Sequence, residues 1–130
     1  MRIYVAGPWG DFRDEPSKVI DKNIQAADNV GQHLVWMGHE VYVPHTMCRT
    51  WTGKFTAEEM ERLDNSFLLH WAEALFKIPG RSAGATAETF KAWQHNLIVF
   101  AVDEPPHKTY FDTRDGEHQA IWGLLKSLPL

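Results

Sequence analysis

The chain has 130 residues, of which 44% are hydrophobic and 23% charged, as is typical of one globular domain, here spanning residues 1–130. Its net charge of −4 argues against a long nucleic acid or anionic membrane as partner. Its single cysteine excludes an intramolecular disulfide framework. No stretch approaches the roughly 20 apolar residues of a transmembrane helix. We therefore expect a soluble, cytoplasmic protein without a membrane partner.

Four short apolar segments predict β-strands, at Ile3–Ala6, Glu40–Val43, Ala74–Ile78 and Leu97–Val102. Segments with apolar residues three or four positions apart alternate with the strands and predict amphipathic helices. These helices run from residues 14–17 to about Met37, from Thr56 to about His70, from Ala85 to Gln94 and from Gly116 to Leu128. Residues 45–55 lack periodicity and are predicted to form a loop.

This alternation predicts an α/β fold with a single-domain Rossmann-like or flavodoxin-like architecture. We expect a parallel sheet of four to five strands with helices on both faces. In open sheets of this kind, ligands bind beyond the carboxyl ends of the strands. Three segments are therefore candidate binding loops: residues 7–14, 44–55 and 79–84.

Glu88 and Tyr4 are two candidates for catalysis. Glu88 follows the small-residue segment 80–87, which enters a predicted helix, so its carboxylate could face a ligand held at the helix N-terminus. The helix dipole alone would also favour a carboxylate there. Tyr4 lies in the first predicted strand and is either a core residue or a hydroxyl that reaches a carboxylate.

Asp64 is the third candidate. It shares one helical stripe with the apolar residues Met60, Phe67 and Trp71. An acid on such a stripe lies either at its solvent edge or in a pocket, where its pKa would rise. A pair of carboxylates with a tyrosine suits cleavage of a glycosidic bond.

Three motifs together resemble the nucleoside 2-deoxyribosyltransferase superfamily. They are the segments Arg2–Pro8 and Gly38–His45 and the pattern Gly80-x-Ser82-x-Gly84-Ala85-x-x-Glu88. The resemblance covers roughly residues 2–102 and points to the branch of small nucleotide-hydrolysing members. The spacing from Asp64 to Glu88 also resembles that of the paired acids in nucleotide N-glycosidases.

The resemblance implies a role for each candidate. Glu88 resembles the nucleophile that attacks C1′ of the (deoxy)ribose to form a covalent intermediate. Asp64 resembles the acid that assists departure of the base and then activates water or a second base. Tyr4 resembles the tyrosine that orients the catalytic glutamate, and Ser82 the loop serine that binds the 5′-phosphate or 5′-hydroxyl.

The resemblance also implies partners. Family members build their sites at a dimer interface, so we expect a homodimer or higher homo-oligomer with a shared active site. No C-terminal residue matches the one that a neighbouring subunit contributes in the family, and Asp112, Arg114 and Asp115 are the candidates. No metal or organic cofactor is implied, and the histidines show no metal-ligand spacing.

The chain departs from the family pattern at two places. Relatives often carry a small hydroxyl residue after the first glycine, where this chain has Pro8. Arg13, Arg81 or backbone N–H groups would then have to hold a 5′-phosphate. The acid that relatives carry before the third strand is displaced by one position, at Glu73.

The remaining candidates for substrate binding come from the predicted loops. Gly7, Pro8 and Gly84 would bring the backbone close to a ligand, and His45 lies where a predicted strand ends. Aromatic rings in these loops can stack on a base, although such rings equally mark a subunit interface. The rings are those of Trp9, Phe12, Trp51 and Phe55.

We therefore expect an N-glycosidase acting on a (deoxy)nucleoside or nucleoside 5′-monophosphate. It would form a covalent glycosyl–enzyme intermediate and release the free base. Three alternatives stay open at this point. They are a 2-deoxyribosyltransferase that exchanges bases, a nucleotide-binding module without turnover, and an α/β domain whose acids are structural.

Overall fold

A computed structural model describes residues 1–9, 17–51, 53–103 and 116–129. Within these ranges the strands are β1 (Arg2–Ala6), β2 (Glu40–Tyr42), β3 (Ala74–Lys77) and β4 (Ile98–Phe100). The helices are α1 (Ser17–Trp36), α2 (Pro44–Trp51), α3 (Ala57–His70), α4 (Ala83–Gln94) and α5 (Gly116–Ser127). None of these helices is long and apolar enough to cross a bilayer.

The strands form one parallel sheet in the order β2-β1-β3-β4. The chain adds β2 on one side of β1 and then crosses over to add β3 on the other side. This order is flavodoxin-like, and it creates a switch point between β1 and β3, where crevices for ligands open. The predicted α/β fold with a parallel sheet is therefore confirmed, with four strands among the described residues.

Alternate residues of β1 divide the core into two halves. Ile3 and Val5 face the side covered by α1 and α5, where they pack with residues such as Leu34. Tyr4 and Ala6 face the opposite side, covered by α3 and α4. Since successive side chains of a strand point to opposite faces, this alternation places the Tyr4 hydroxyl on the same side as both candidate carboxylates.

Helix α3 begins where the sequence predicts, because Thr56 forms a capping box. The Thr56 hydroxyl accepts from the Glu59 N–H at 3.1 Å, and the Glu59 carboxylate accepts from the Thr56 N–H at 2.9 Å. These bonds satisfy two backbone donors and hold the pKa of Glu59 below its usual value. They also fix where the first turn begins and hence the direction of Asp64, two turns later.

Helix α2 corrects the sequence prediction, which placed a loop over residues 45–55. Pro44 does end the strand, but it also occupies the first position of a helix, Pro44–Trp51. Proline is favoured there because its φ is already helical and its missing N–H has no partner to lose. The segment therefore continues as two turns of helix with His45 near its N-terminus.

Helix α4 also begins earlier than predicted, at Ala83 rather than Ala85. Ser82 is its N-cap, and the Ser82 hydroxyl accepts from the Ala85 N–H at 3.1 Å. Gly84 consequently lies in the first turn of the helix and not in the loop. The loop predicted over residues 79–84 is therefore shorter than expected, and it leads directly into the N-terminus of α4.

Candidate functional site

A cavity of about 390 Å³ opens beyond the carboxyl ends of β1 and β3. Gly7 and Trp9 line it from the end of β1, and Ser82 from the end of β3. Helices α2, α3 and α4 complete the wall. The described candidate residues that line it are Gly7, Trp9, His45, Trp51, Phe55, Asp64, Ser82, Gly84 and Glu88.

Glu88 is held against this cavity by Tyr4. The Tyr4 ring is fully buried in β1, and its hydroxyl donates a hydrogen bond to Oε2 of Glu88. Burial raises the pKa of Glu88 to about 7, the Tyr4 hydrogen bond opposes this rise, and the charge of Asp64 adds to it. The pKa of Tyr4 itself is raised by burial and by both carboxylates, so its hydroxyl stays protonated as a donor.

Asp64 lies in the same cavity and has a tyrosine of its own. The Tyr42 hydroxyl donates to Oδ1 of Asp64 at 3.0 Å. Burial raises the pKa of Asp64 to about 6, although the hydrogen bond from Tyr42 lowers it. Of the two places that the sequence leaves open for this acid, the solvent edge of the stripe or a pocket, the structure shows the pocket, with a raised pKa.

Tyr42 is a site residue that sequence reasoning missed. The sheet register sets it directly beside Tyr4, and the two ring centroids are 5.5 Å apart. On its other side the Tyr42 ring stacks on Phe67 of α3, with centroids 3.9 Å apart. A signal was present, since both tyrosines stand in short apolar strands shortly before a proline, but only the strand register pairs them.

Ser82 and Gly84 form the floor of the cavity at the N-terminus of α4. Ser82 is buried, and its hydroxyl already serves as the helix cap. A Cβ built on Gly84 would meet no atom within 4 Å, so the space above it is open. The first amides of a helix have no partner within the helix, and together with the dipole they favour an electronegative ligand group.

His45 and Trp9 form the wall next to β1. The Nε2 atom of His45 lies 2.9 Å from the Pro8 carbonyl oxygen, and the His45 and Trp9 ring centroids are 6.0 Å apart. Asn23 of α1 donates to the Trp9 carbonyl at 2.7 Å. Pro8 itself does not line this cavity, and its ring packs against Gly80 instead.

The outer wall is aromatic. The rings of Trp51 and Phe55 lie 5.6 Å apart, tilted by 52°, and both line the cavity. Arg81 is exposed and is not among the lining residues. Five further candidates lie outside the described residues, namely Phe12, Arg13, Asp112, Arg114 and Asp115.

An ion pair between a buried lysine and a partly exposed aspartate beside the site is a second feature that sequence reasoning missed. Lys77, at the end of β3, is 1% exposed, and its Nζ donates to Oδ1 of Asp103 at 2.8 Å. It also donates to the Gly80 carbonyl at 3.2 Å, while the Gly80 N–H donates to Oδ2 of Asp103 at 2.8 Å. The ion pair therefore holds Gly80 in place through its carbonyl and its N–H, and with it the connection that leads to Ser82.

The chemistry available to the cavity is that of carboxyl groups and hydrogen bonds. Among the described residues, no group of three or more His, Cys, Asp or Glu side chains is arranged to hold a metal ion. The two carboxyls line one cavity, as an acid and a nucleophile or base that act on one substrate must. In comparisons with known proteins, no family model and no curated protein matches this chain.

Proposed function

We propose that this protein hydrolyses the N-glycosidic bond of a (deoxy)nucleoside or nucleoside 5′-monophosphate and releases the free base. The observation that carries the proposal is the arrangement of Glu88 and Asp64. These two partly buried carboxyls have raised pKa values, line one cavity and are each hydrogen-bonded to a tyrosine. Paired carboxyl groups are the usual means of cleaving a glycosidic bond.

In the first step, an ionised oxygen of Glu88 attacks C1′ of the sugar. A C1′–O bond forms, the C1′–N bond breaks, and its electron pair leaves with the base nitrogen. Asp64, in its neutral form, protonates the departing base. The Tyr4 hydrogen bond supports this role, because it fixes the Glu88 carboxyl and stabilises its ionised form.

In the second step, water replaces the base. The Asp64 carboxylate removes a proton from the water, whose oxygen attacks C1′. The C1′–O bond to Glu88 then breaks, and its electron pair returns to the carboxylate. Free sugar, or sugar 5′-phosphate, is released and both acids regain their starting protonation states.

The shape of the cavity supports a nucleoside as its occupant. The rings of Trp51 and Phe55 on the outer wall offer flat apolar surface to a base. The N-terminus of α4, with open space at Gly84, offers the positive end of the helix dipole to an oxygen of the sugar or phosphate. The volume of about 390 Å³ lies within the usual range for small-molecule sites.

The proposal includes self-association in the cytoplasm, with a second copy completing the site. An exposed apolar patch at the end of α1 supports self-association, since Trp36 is 73% and Val35 55% exposed. Analytical ultracentrifugation tests this part directly. A monomer with full activity would contradict a shared site.

The function is tested by incubating the protein with a panel of ribo- and deoxyribonucleosides and their 5′-monophosphates. Free base, measured by chromatography, is the expected product. Addition of a second base distinguishes hydrolysis from base exchange, because a transferase would yield the exchanged nucleoside. Binding without release of base from any substrate would contradict enzyme activity and indicate a binding module.

The pH dependence of kcat/KM is expected to be bell-shaped, with its maximum between pH 6 and 7. Glu88 must be ionised, and burial raises its pKa to about 7. Asp64 must be neutral, and burial raises its pKa to about 6. Activity should fall about tenfold per pH unit outside this window. Initial rates with a base that does not titrate in this range measure the profile. Asp64→Asn should remove the alkaline limb and move the acid limb to lower pH, because the Asp64 charge no longer raises the pKa of Glu88. An unchanged alkaline limb in that variant would contradict the role of Asp64.

Gly84→Leu is expected to weaken nucleoside binding at least roughly tenfold without loss of stability. The leucine side chain would enter the open space of the cavity, and glycine is the poorer helix former. Calorimetry and thermal unfolding measure the two effects. The matched control is Gly123→Leu in α5, which also has open space around its Cβ and lies outside the cavity. Equal binding by the two variants would argue against this cavity as the site.

A further inference from the structure

His45 carries a buried polar atom that nothing in the described part of the chain satisfies. The residue is 5% exposed. Its Nε2 bonds to the Pro8 carbonyl, but its Nδ1 is buried and has no hydrogen-bond partner. Buried polar atoms nearly always have a hydrogen-bond partner, because an unpaired one loses its hydration without a hydrogen bond to offset the cost. An unpaired one in a cavity wall therefore points to a ligand.

The partner of Nε2 determines what Nδ1 can do. A carbonyl oxygen only accepts hydrogen bonds, so Nε2 carries the proton. Burial lowers the pKa of His45, and the nearby backbone carbonyls of Pro8 and Gly7 oppose this only in part. The ring is therefore neutral near pH 7, and Nδ1 presents a lone pair as an acceptor.

Three other polar side chains of the cavity wall already take part in hydrogen bonds within the protein. Glu88 accepts from Tyr4, and Asp64 accepts from Tyr42. The Ser82 hydroxyl accepts from the N–H of Ala85. The Nδ1 atom of His45 differs from these groups, because it has no hydrogen-bond partner although His45 lines the cavity.

We propose that Nδ1 of His45 accepts a hydrogen bond from an N–H or O–H group of the bound nucleoside and so selects for substrates that carry this donor. The inference rests on the proposed function for the identity of the ligand. A substrate that lacks the donor would leave Nδ1 buried and unpaired in the complex. Sites built around such a bond reject analogues that lack it.

Two substitutions separate this role from a structural one. The carboxamide of His45→Gln reaches the place of Nε2 and can still donate to the Pro8 carbonyl, whereas it lacks Nδ1. The carboxamide of His45→Asn lies at the place of Nδ1 and can accept there, whereas it cannot reach the Pro8 carbonyl. His33→Gln, at an exposed histidine of α1, is the matched control.

The Gln variant is expected to keep its melting temperature and to lose roughly tenfold to hundredfold in kcat/KM, the worth of one buried hydrogen bond. The Asn variant should melt at a lower temperature and yet retain more of kcat/KM than the Gln variant. His33→Gln should change neither quantity. The opposite order of kcat/KM in the two His45 variants would show that the bond to Pro8 matters and would overturn the proposal.

Substrate analogues identify the donor. Nucleosides that lack one sugar hydroxyl, and nucleosides methylated at one base N–H, are compared in the native protein and in His45→Gln. Removal of the correct donor should lower kcat/KM in the native protein and have little further effect in the variant. If the loss of each donor lowers kcat/KM by the same factor in the native protein and in His45→Gln, the proposal is wrong.

Binding measurements keep this inference distinct from the proposed function. If no base is released from any substrate, the N-glycosidase proposal fails, and nucleoside affinity measured by calorimetry takes the place of kcat/KM. The same order is then expected, with His45→Gln binding more weakly than His45→Asn. Equal affinities overturn the role of His45, and absence of nucleoside binding overturns both proposals.

Discussion

Glu88→Gln is expected to abolish base release and, at the same time, to stabilise the protein at neutral and alkaline pH. The variant has no ionisable oxygen to form the bond to C1′, so kcat should fall by at least roughly three orders of magnitude. The Tyr4 hydroxyl can still donate to the amide oxygen of the new side chain. The fold and the shape of the cavity should therefore persist.

The gain in stability follows from the sign of the pKa shift. Burial raises the pKa of Glu88 from its ordinary value of 4.5 to about 7 in the folded state. The folded protein therefore holds this proton more tightly than the unfolded chain does. The contribution to stability is fully present below the unfolded pKa and is lost as the pH rises through the folded pKa.

Glutamine at this position removes that loss. Near pH 8 the variant should exceed the native protein in free energy of unfolding by about 2–3 kcal/mol, and near pH 4 the two should be alike. Urea unfolding at both pH values measures the difference. Glu40→Gln, at an exposed carboxylate of β2, is the control and should show no such dependence.

Two results would contradict this account of Glu88. Full base release by the variant would remove Glu88 from the proposed chemistry. An equal gain at both pH values would show that the effect does not come from the buried charge. If the free energy of unfolding increases only at alkaline pH, the native protein retains the Glu88 carboxylate although it lowers stability. Residues of functional sites commonly lower stability in this way.

Asp103→Ala is expected to destabilise the fold by about 3 kcal/mol, and Lys77→Met by less. Removal of Asp103 deprives the fully buried Lys77 ammonium of its carboxylate. Lys77→Met removes the buried charge itself, and the Asp103 side chain, 28% exposed, keeps access to water and to the Gly80 N–H. The asymmetry arises because a buried charge costs most when its opposite charge is taken away.

The same pair determines the conformation of the connection before α4. Gly80 has a φ of +138°, and a Cβ there would lie 2.7 Å from the Pro8 ring. Asp103 and Lys77 bond to its N–H and carbonyl, so Asp103→Ala should also weaken the alignment of Ser82 and raise KM. Denaturant unfolding and steady-state kinetics measure the two effects. If Lys77→Met lowers the free energy of unfolding as much as Asp103→Ala does, the expected asymmetry is wrong.

Acid should mimic the loss of Asp103. Burial alone would raise the pKa of Asp103, but the Gly80 N–H and Lys77 together hold it below the ordinary value of 3.8. The stabilisation is therefore present at neutral pH and is lost as the pH falls through this lowered pKa. The difference in stability between the native protein and Asp103→Ala should accordingly shrink in strong acid.

Several elements were predictable because their signals are local. The capping box at Thr56 and the periodicity that follows it predict α3 and set Asp64 on its apolar stripe. Short apolar segments alternating with amphipathic helices predict the parallel sheet, and with it the edge at which ligands bind. The start of α2 was missed because Pro44 both ends a strand and begins a helix, and only the packing of the segment against α1 selects the helix.

The sequence by itself determined the class of fold, because periodicity and capping act over a few residues. It also indicated the candidate acids, Asp64 from its place on an apolar stripe and Glu88 from the small-residue segment that precedes it. Only the tertiary structure decided which hydroxyl each acid meets. Tyr4 and Glu88 are 84 positions apart in the chain, and Tyr42 reaches Asp64 because the strand register sets it beside Tyr4. The raised pKa values and the unpaired Nδ1 of His45 belong to the tertiary structure as well, because burial arises only when distant segments pack together.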